Sequence, residues 1–214
     1  MKKVIAYIDG FNMYHGIRRN LPESNQWLDY RKLVQHYLWK TDELVGIVYF
    51  TAEPRWDKVK IAQHNTYLDV LKKHLGLHIV SGNYTSVSKT FISWKHPVID
   101  PANALVKPKK FTYKTFEEKQ TDVNMALTIF DDGIMDRYDK ALLFTGDSDI
   151  APSIQRVKRY KTKEFVSILP IGWRGRVISG ICDSHHSITS EVLLSCLLPE
   201  SVEVFGKNLH NPYK

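Results

Sequence analysis

Short apolar runs alternate with helical stretches along this chain, and that alternation limits its fold more than any other feature. Residues 4–9 (VIAYID), 44–51 (LVGIVYFT), 77–80, 140–145 and 164–169 read as buried strands closed by turn residues. Residues 29–39 place Leu33, Tyr37 and Leu38 at helical spacing behind Asp29, a suitable N-cap. Residues 55–75 form a long amphipathic helix stopped by Gly76, and residues 121–135, 149–160 and 188–197 predict three further helices. Strands separated by helices pair in parallel, so the expected class is α/β with a mainly parallel central sheet. Residues 81–118 break the pattern: the helical period disappears, and KTFISWK (residues 89–95) alternates like an edge strand or hairpin arm. This stretch reads as an excursion from the core.

A chain of 214 residues with 43% hydrophobic content can bury a full core. One domain over residues 1–198 is expected, with a loosely held tail over 199–214. No apolar stretch approaches the roughly 20 residues that span a bilayer, and the N-terminal segment turns acidic at Asp9, too early for a signal peptide. A cytoplasmic protein with no membrane association is the expectation. Cys182 and Cys196 lack CxxC spacing, which argues against structural zinc or a disulfide framework. The formal net charge of +7 favours a polyanionic partner without identifying one.

In an open parallel sheet, ligands bind beyond the carboxyl ends of the strands. Asp9 closes the first strand, Asp147 and Asp149 follow the fourth in the segment TGDSDI, and Asp122 begins the helix before it. Four carboxylates therefore converge on one rim. Gathering them costs heavily unless a cation intervenes, and oxygen-only ligation without Cys or His points to Mg²⁺ or Mn²⁺. Such an ion activates water and polarises a phosphoryl group, which suggests phosphodiester hydrolysis. Each carboxylate has a plainer reading. Asp149 could cap the helix carrying Pro152, and Asp122 could sit in a first turn beside a capping Thr121. Capping alone leaves Asp9 unexplained, as well as the close spacing of Asp147 and Asp149.

Three segments in order, AYIDGFNMY (6–14), EKQTDVNMAL (118–127) and YDKALLFTGDSDIAPSI (138–154), resemble the NYN domain family of PIN-like metallonucleases over roughly residues 3–197. The resemblance implies a PIN-like, Rossmann-like sheet with helices on both faces and a Mg²⁺- or Mn²⁺-dependent ribonuclease site, although several members act chiefly in RNA binding. It implies Asp9, Asp122 and Asp147 as metal ligands, Asp149 as a further ligand or water-positioning residue, and Asn12 as the motif asparagine. Lys119 would contact phosphate, and Arg174 and Asp183 match a basic turn and the aspartate after it. Thr128 departs from the pattern, standing where a second helix carboxylate is frequent. Asp131 and Asp132 lie too far around the helix to replace it.

Within the excursion, VKPKKFTYKTFEEK (106–119) interleaves Lys107, Lys109, Lys110 and Lys114 with Phe111, Tyr113 and Phe116, a composition suited to single-stranded RNA. Its plainer reading is a solvated loop with inward-packed aromatics. Trp94, Lys95 and His96 extend the same surface. The expectation is a metal-dependent ribonuclease, endonucleolytic in action. A catalytically idle RNA-binding module is the first alternative. A nucleotide-sugar transferase using Asp147-Ser148-Asp149 as a DxD motif leaves Asp9 and Asn12 without a role, and a phosphotransferase with Asp9 as nucleophile lacks its usual second aspartate at Phe11.

Overall fold

A computed structural model describes residues 1–99, 102 and 106–214. In chain order the elements are β1 (Lys2–Asp9), α1 (Gly10–Asn20), α2 (Tyr30–Gln35), β2 (Asp42–Ala52), α3 (Lys58–Asp69), β3 (His78–Ile99), β4 (Val106–Lys119), α4 (Thr121–Ile134) and β5 (Lys140–Phe144). They continue with α5 (Ala151–Tyr160), β6 (Glu164–Leu169), α6 (Arg176–Ile181), β7 (Ser184–Ser187), α7 (Ser190–Ser195), β8 (Ser201–Val204) and β9 (Lys207–His210).

The main sheet runs β4-β3-β2-β1-β5-β6-β7. All its pairs are parallel except β3 with β4. β1 lies between β2 and β5, so the chain winds outward from it in both directions and opens a crevice at the carboxyl ends of β1 and β5. β1 shows why the sheet is covered on both faces. Val4, Ala6 and Ile8 enter one core with Met13, Ile17 and Leu33, whereas Ile5 and Tyr7 enter a second with Met125, Ile129 and Ile154. A strand buried on both sides must read as a continuous apolar run, as VIAYI does. The expected PIN-like α/β architecture is present.

Local details correct or extend the sequence reading. The second long helix begins at Lys58 because the Asp57 side chain accepts from the N–H groups of Val59 and Lys60, and it ends as a π turn over Val70–His74. α1 lacks the apolar period that would have announced it, since its buried face is made of Gly10, Asn12, Met13, Gly16 and Ile17. The hairpin arm expected over residues 89–95 belongs to one long antiparallel hairpin, with Asn83 opposite Lys119 and Phe91 opposite Phe111, so the solvated-loop reading of residues 106–119 is corrected. The C-terminal tail also docks. Val202 and Val204 are buried in the first core, Trp27 Nε1 donates to the Pro199 carbonyl at 2.8 Å, and Gln63 Nε2 donates to that of Pro212 at 2.8 Å. No helix among the described residues is long and apolar enough to cross a membrane.

Candidate active site

The site is assembled where β1 and β5 end. Asp9 is 1% exposed. Its Oδ1 accepts from the Phe11 and Asn12 N–H groups at 3.0 and 2.9 Å, so it caps α1, a role its place at the end of an apolar run did not suggest. Its Oδ2 accepts from the Thr145 hydroxyl at 3.0 Å. The same Thr145 oxygen accepts the Asp147 N–H at 3.0 Å, and Asp147 Oδ1 accepts the Asp149 N–H at 2.9 Å. One chain of hydrogen bonds thus runs from the first strand into the acidic turn. Asn12 braces that turn from α1, its Oδ1 accepting the Gly146 N–H at 3.0 Å.

Glycine is required at two points. A Cβ on Gly10 would come within 2.6 Å of the Tyr49 hydroxyl and 2.7 Å of the Phe50 carbonyl. One on Gly146 would meet the Trp173 ring at 2.6 Å, so the Ile171–Gly175 loop lies directly on the acidic turn. Arg174 is exposed on that loop.

Asp122 enters from α4. The helix starts after Gln120, whose φ of 79° places it in the left-handed region, and no side chain of Gln120 or Thr121 caps it. Instead Glu118 Oε1 accepts the Thr121 N–H at 2.9 Å. Glu118 is the residue that sequence reasoning missed. It lines a cleft of about 380 Å³ with Lys119, Asp122, Val123, Leu127 and Asp149. Its signal was its place at the head of the EKQTD segment, three residues before the backbone group it caps. Thr145 was passed over in the same way. α5 takes Ile150 as N-cap with no side-chain hydrogen bond, so Asp149 does not cap it.

Asp122, Asp147 and Asp149 each bring a carboxylate oxygen to within 4.8 Å of the others. Asp9 stands behind this trio with both oxygens engaged. Burial pushes the Asp9 carboxyl up to about 7, helped by Asp122 and Asp147 and opposed by the bonds from Asn12 and Thr145. Partial burial, then Asp147, Glu118 and Asp149, push Asp122 up to about 6. Among the described residues, none of these five carboxylates makes an ion pair.

The other expected residues scatter. Asp183 lies at the amino end of β7, accepting from Lys158 Nζ at 2.7 Å and the Phe165 N–H at 2.8 Å, on the opposite rim. Asp132 is buried and accepts from the Tyr7 hydroxyl and Arg137, so it holds structure together. Thr128 Oγ1 donates to the Asn124 carbonyl of its own helix at 2.7 Å. Along β4 the basic track divides by alternation: Lys110 and Lys114 share the face of Phe116 and Glu118, whereas Lys109 and Lys119 share the other with Phe111, Tyr113 and Glu117. Lys109 Nζ lies 4.9 Å from the Phe111 ring centre, and Lys119 pairs with Glu117 at 2.9 Å. Lys107 is the second residue of the β4 arm, opposite Val98. Trp94 is exposed, and the His96 side chain lies outside the described residues.

Known proteins resemble the chain in sequence and in fold. The chain is 28% identical over 226 residues to the 6-hydroxy-3-succinoylpyridine 3-monooxygenase of Pseudomonas putida, covering 92% of this chain and 70% of that protein. A solved protein of unknown function from Vibrio parahaemolyticus shares the fold with a TM-score of 0.52 at 14% identity, over 89% of this chain and 94% of that one. The family model for the NYN domain matches residues 3–187, which take in the first strand, the acidic helix and the acidic turn. The chain therefore belongs to the NYN domain family.

Proposed function

We propose that the protein is a metal-dependent ribonuclease whose acidic turn hydrolyses RNA phosphodiester bonds. The single observation that supports this most is the trio Asp122, Asp147 and Asp149, with oxygens within 4.8 Å of one another and no ion pair among the described residues. This donor set fits a hard divalent ion: it offers carboxylate oxygen only, and partial burial, reinforced by the neighbouring carboxylates, raises the Asp122 carboxyl to about 6. Bound there, Mg²⁺ or Mn²⁺ would polarise a phosphoryl oxygen and make a water molecule more acidic.

The chain's own residues supply position. Asp9, acting through Thr145, holds the backbone of the acidic turn against the first strand. Asn12 commits its oxygen to Gly146, which leaves its Nδ2 without a hydrogen-bond partner among the described residues and available to a substrate oxygen. Lys110, Lys114 and Arg174 provide positive charge for phosphates flanking the scissile one. Lys119, Lys107 and Lys109 extend that charge along the hairpin, for single-stranded RNA in particular.

A second reading, an RNA-binding module without catalysis, is favoured by Thr128, which leaves α4 one carboxylate short of the family pattern and spends its hydroxyl on its own helix. The relative's name describes oxygenation of a pyridine acid, and an identity of 28% does not extend that activity to this chain. Incubating purified protein with labelled single-stranded RNA and Mn²⁺ decides between the first two. Cleavage that disappears in Asp147→Asn while RNA binding persists supports the nuclease; binding without cleavage under Mg²⁺ or Mn²⁺ supports the module.

A further inference from the structure

Across the rim from the acidic trio, between α1, α3 and the base of the hairpin, lies a cavity of about 260 Å³. It is smaller than most cofactor sites, which run to about 300–1,000 Å³, and suits one or two fused rings. Its walls are chiefly aromatic, with Tyr14, Tyr49, Trp56, Tyr84 and Phe116 among them. Trp56 is 43% exposed. Its ring stacks on Phe116 at 4.8 Å and 18°, and meets the edge of Tyr84 at 4.7 Å. One face is therefore supported while part of the ring remains open.

His64 brings a polar group to the same cavity. Its Nε2 is shielded from solvent and has no hydrogen-bond partner among the described residues. A buried imidazole nitrogen without a partner costs free energy unless something else engages it. Burial lowers its pKa, so the ring is held neutral and able to bond a neutral heterocycle. Arg18 and Lys60 add positive charge to the lining, opposed by Glu23.

The cavity borders the acidic site directly. Gly10 and Phe11, which follow the Asp9 cap, form part of its wall. Tyr84, in the same wall, lies within the field of Glu118, which in turn lies within that of Asp122. An aromatic slot with positive charge in its lining, next to the acidic turn, matches the needs of an unstacked base: a stacking face and a nearby cation for its phosphate.

We propose that this cavity is a single-base pocket, taking one unstacked nucleobase of the strand whose phosphodiester lies at the acidic turn. The base stacks on Trp56, with His64 in the wall beside it. The proposal rests on the ribonuclease reading for its orientation but not for its ligand.

The test is equilibrium binding by calorimetry to the full chain in the presence of a chelator, with nucleoside 5′-monophosphates, ribose 5-phosphate and nicotinate as probes. At least one nucleoside monophosphate should bind, with ribose 5-phosphate about tenfold weaker or more. Trp56→Ala should weaken nucleotide binding by about tenfold, the loss typical of one base–aromatic stack, and Phe116→Ala, which removes the ring supporting Trp56, should weaken it less. Both positions are partly exposed, so both variants should fold, as circular dichroism would check. His64→Gln should change the preference among the four bases.

Ribose 5-phosphate binding as tightly as the nucleotides would reduce the cavity to a phosphate site and overturn the proposal. Nicotinate binding more tightly than every nucleotide would make it a pocket for small aromatic acids and overturn the proposal equally. RNA cleavage by a protein that binds no nucleoside monophosphate removes the base pocket and spares the nuclease. Nucleotide binding without cleavage under either metal does the reverse.

Discussion

The two ends of the central sheet both gather charge, and they treat it in opposite ways. At the amino end, Lys140 and Asp42 are withdrawn from solvent, with side chains 2% and 0% exposed and Nζ 2.9 Å from Oδ2. Glu164 approaches the same Nζ at 3.6 Å and takes Lys2 at 2.7 Å on its other oxygen. The Trp39 ring lies 4.8 Å from the ammonium, and its backbone N–H donates to Asp42 at 2.9 Å. At the carboxyl end, Asp9, Glu118, Asp122, Asp147 and Asp149 gather with no ion-pairing cation among the described residues. A buried charge that has its partner serves structure, whereas a gathered set of like charges without one leaves room for something the chain does not supply.

The most severe way to break the comparison is to imitate the carboxyl end at the amino end. Lys140→Met leaves Asp42 buried without its cation and should lower stability by about 3–5 kcal/mol in urea unfolding. The double variant Lys140→Met with Asp42→Leu should recover most of that loss; if it does not, the pair has a role beyond charge balance.

The next test is pH, with a chelator present. Folded Asp9 and Asp122 hold their protons up to about 7 and about 6, against an ordinary value of 3.8 in the unfolded chain. Between those limits the folded state binds more protons than the unfolded one, so stability falls as pH rises from about 4 to about 7. The decline should be on the order of 2–4 kcal/mol, read from urea midpoints across the range, and Asp9→Asn should flatten much of it. A stability curve that rises with pH over this window would show that the carboxyl-end charges are balanced after all.

Supplying the missing charge should sharpen the contrast. Mn²⁺ at a hundred times its dissociation constant should stabilise the wild type by about 2.7 kcal/mol in thermal unfolding, and Asp147→Asn should forfeit nearly all of that gain. The same variant should lose RNA cleavage by about 100-fold or more while folding normally without metal. Equal stabilisation of both proteins would place the ion elsewhere. The smallest effect is expected at Thr145→Val, which removes the hydroxyl joining Asp9 to Asp147 and should cost about 1 kcal/mol of stability. Its cleavage rate should fall with little change in RNA affinity, because the hydroxyl positions the turn without reaching the substrate.

Particular residues show how far the sequence could be read. The strands were legible because burial on both faces demands apolar runs, as in VIAYI of β1 and ALLF of β5. α1 was not: its buried face includes two glycines and an asparagine, so its packing rests on close backbone approach and hydrogen bonding, which leave no apolar period. The hairpin was half legible. Alternation marked one arm, but most side chains along β4 are exposed, so neither hydrophobic pattern nor turn chemistry announced the pairing of Asn83 with Lys119. Lys163 likewise reaches Asp136 at 2.9 Å through a loop that charge spacing alone does not predict.

The candidate site divides along the same line. Sequence alone determined which carboxylates lie at strand ends and helix starts, because chain order and the geometry of a parallel sheet send those positions to one rim. It also determined that a basic, aromatic segment stands immediately before Asp122. Only the tertiary structure decided that Asp9 turns both oxygens inward, that Glu118 joins the acidic group, and that β4 divides its lysines between two faces. It alone brought Trp56, His64 and Tyr84 around one cavity. The physical reason is that hydrogen-bond partners and cavity walls come from segments far apart in the chain, and their meeting depends on how the layers pack.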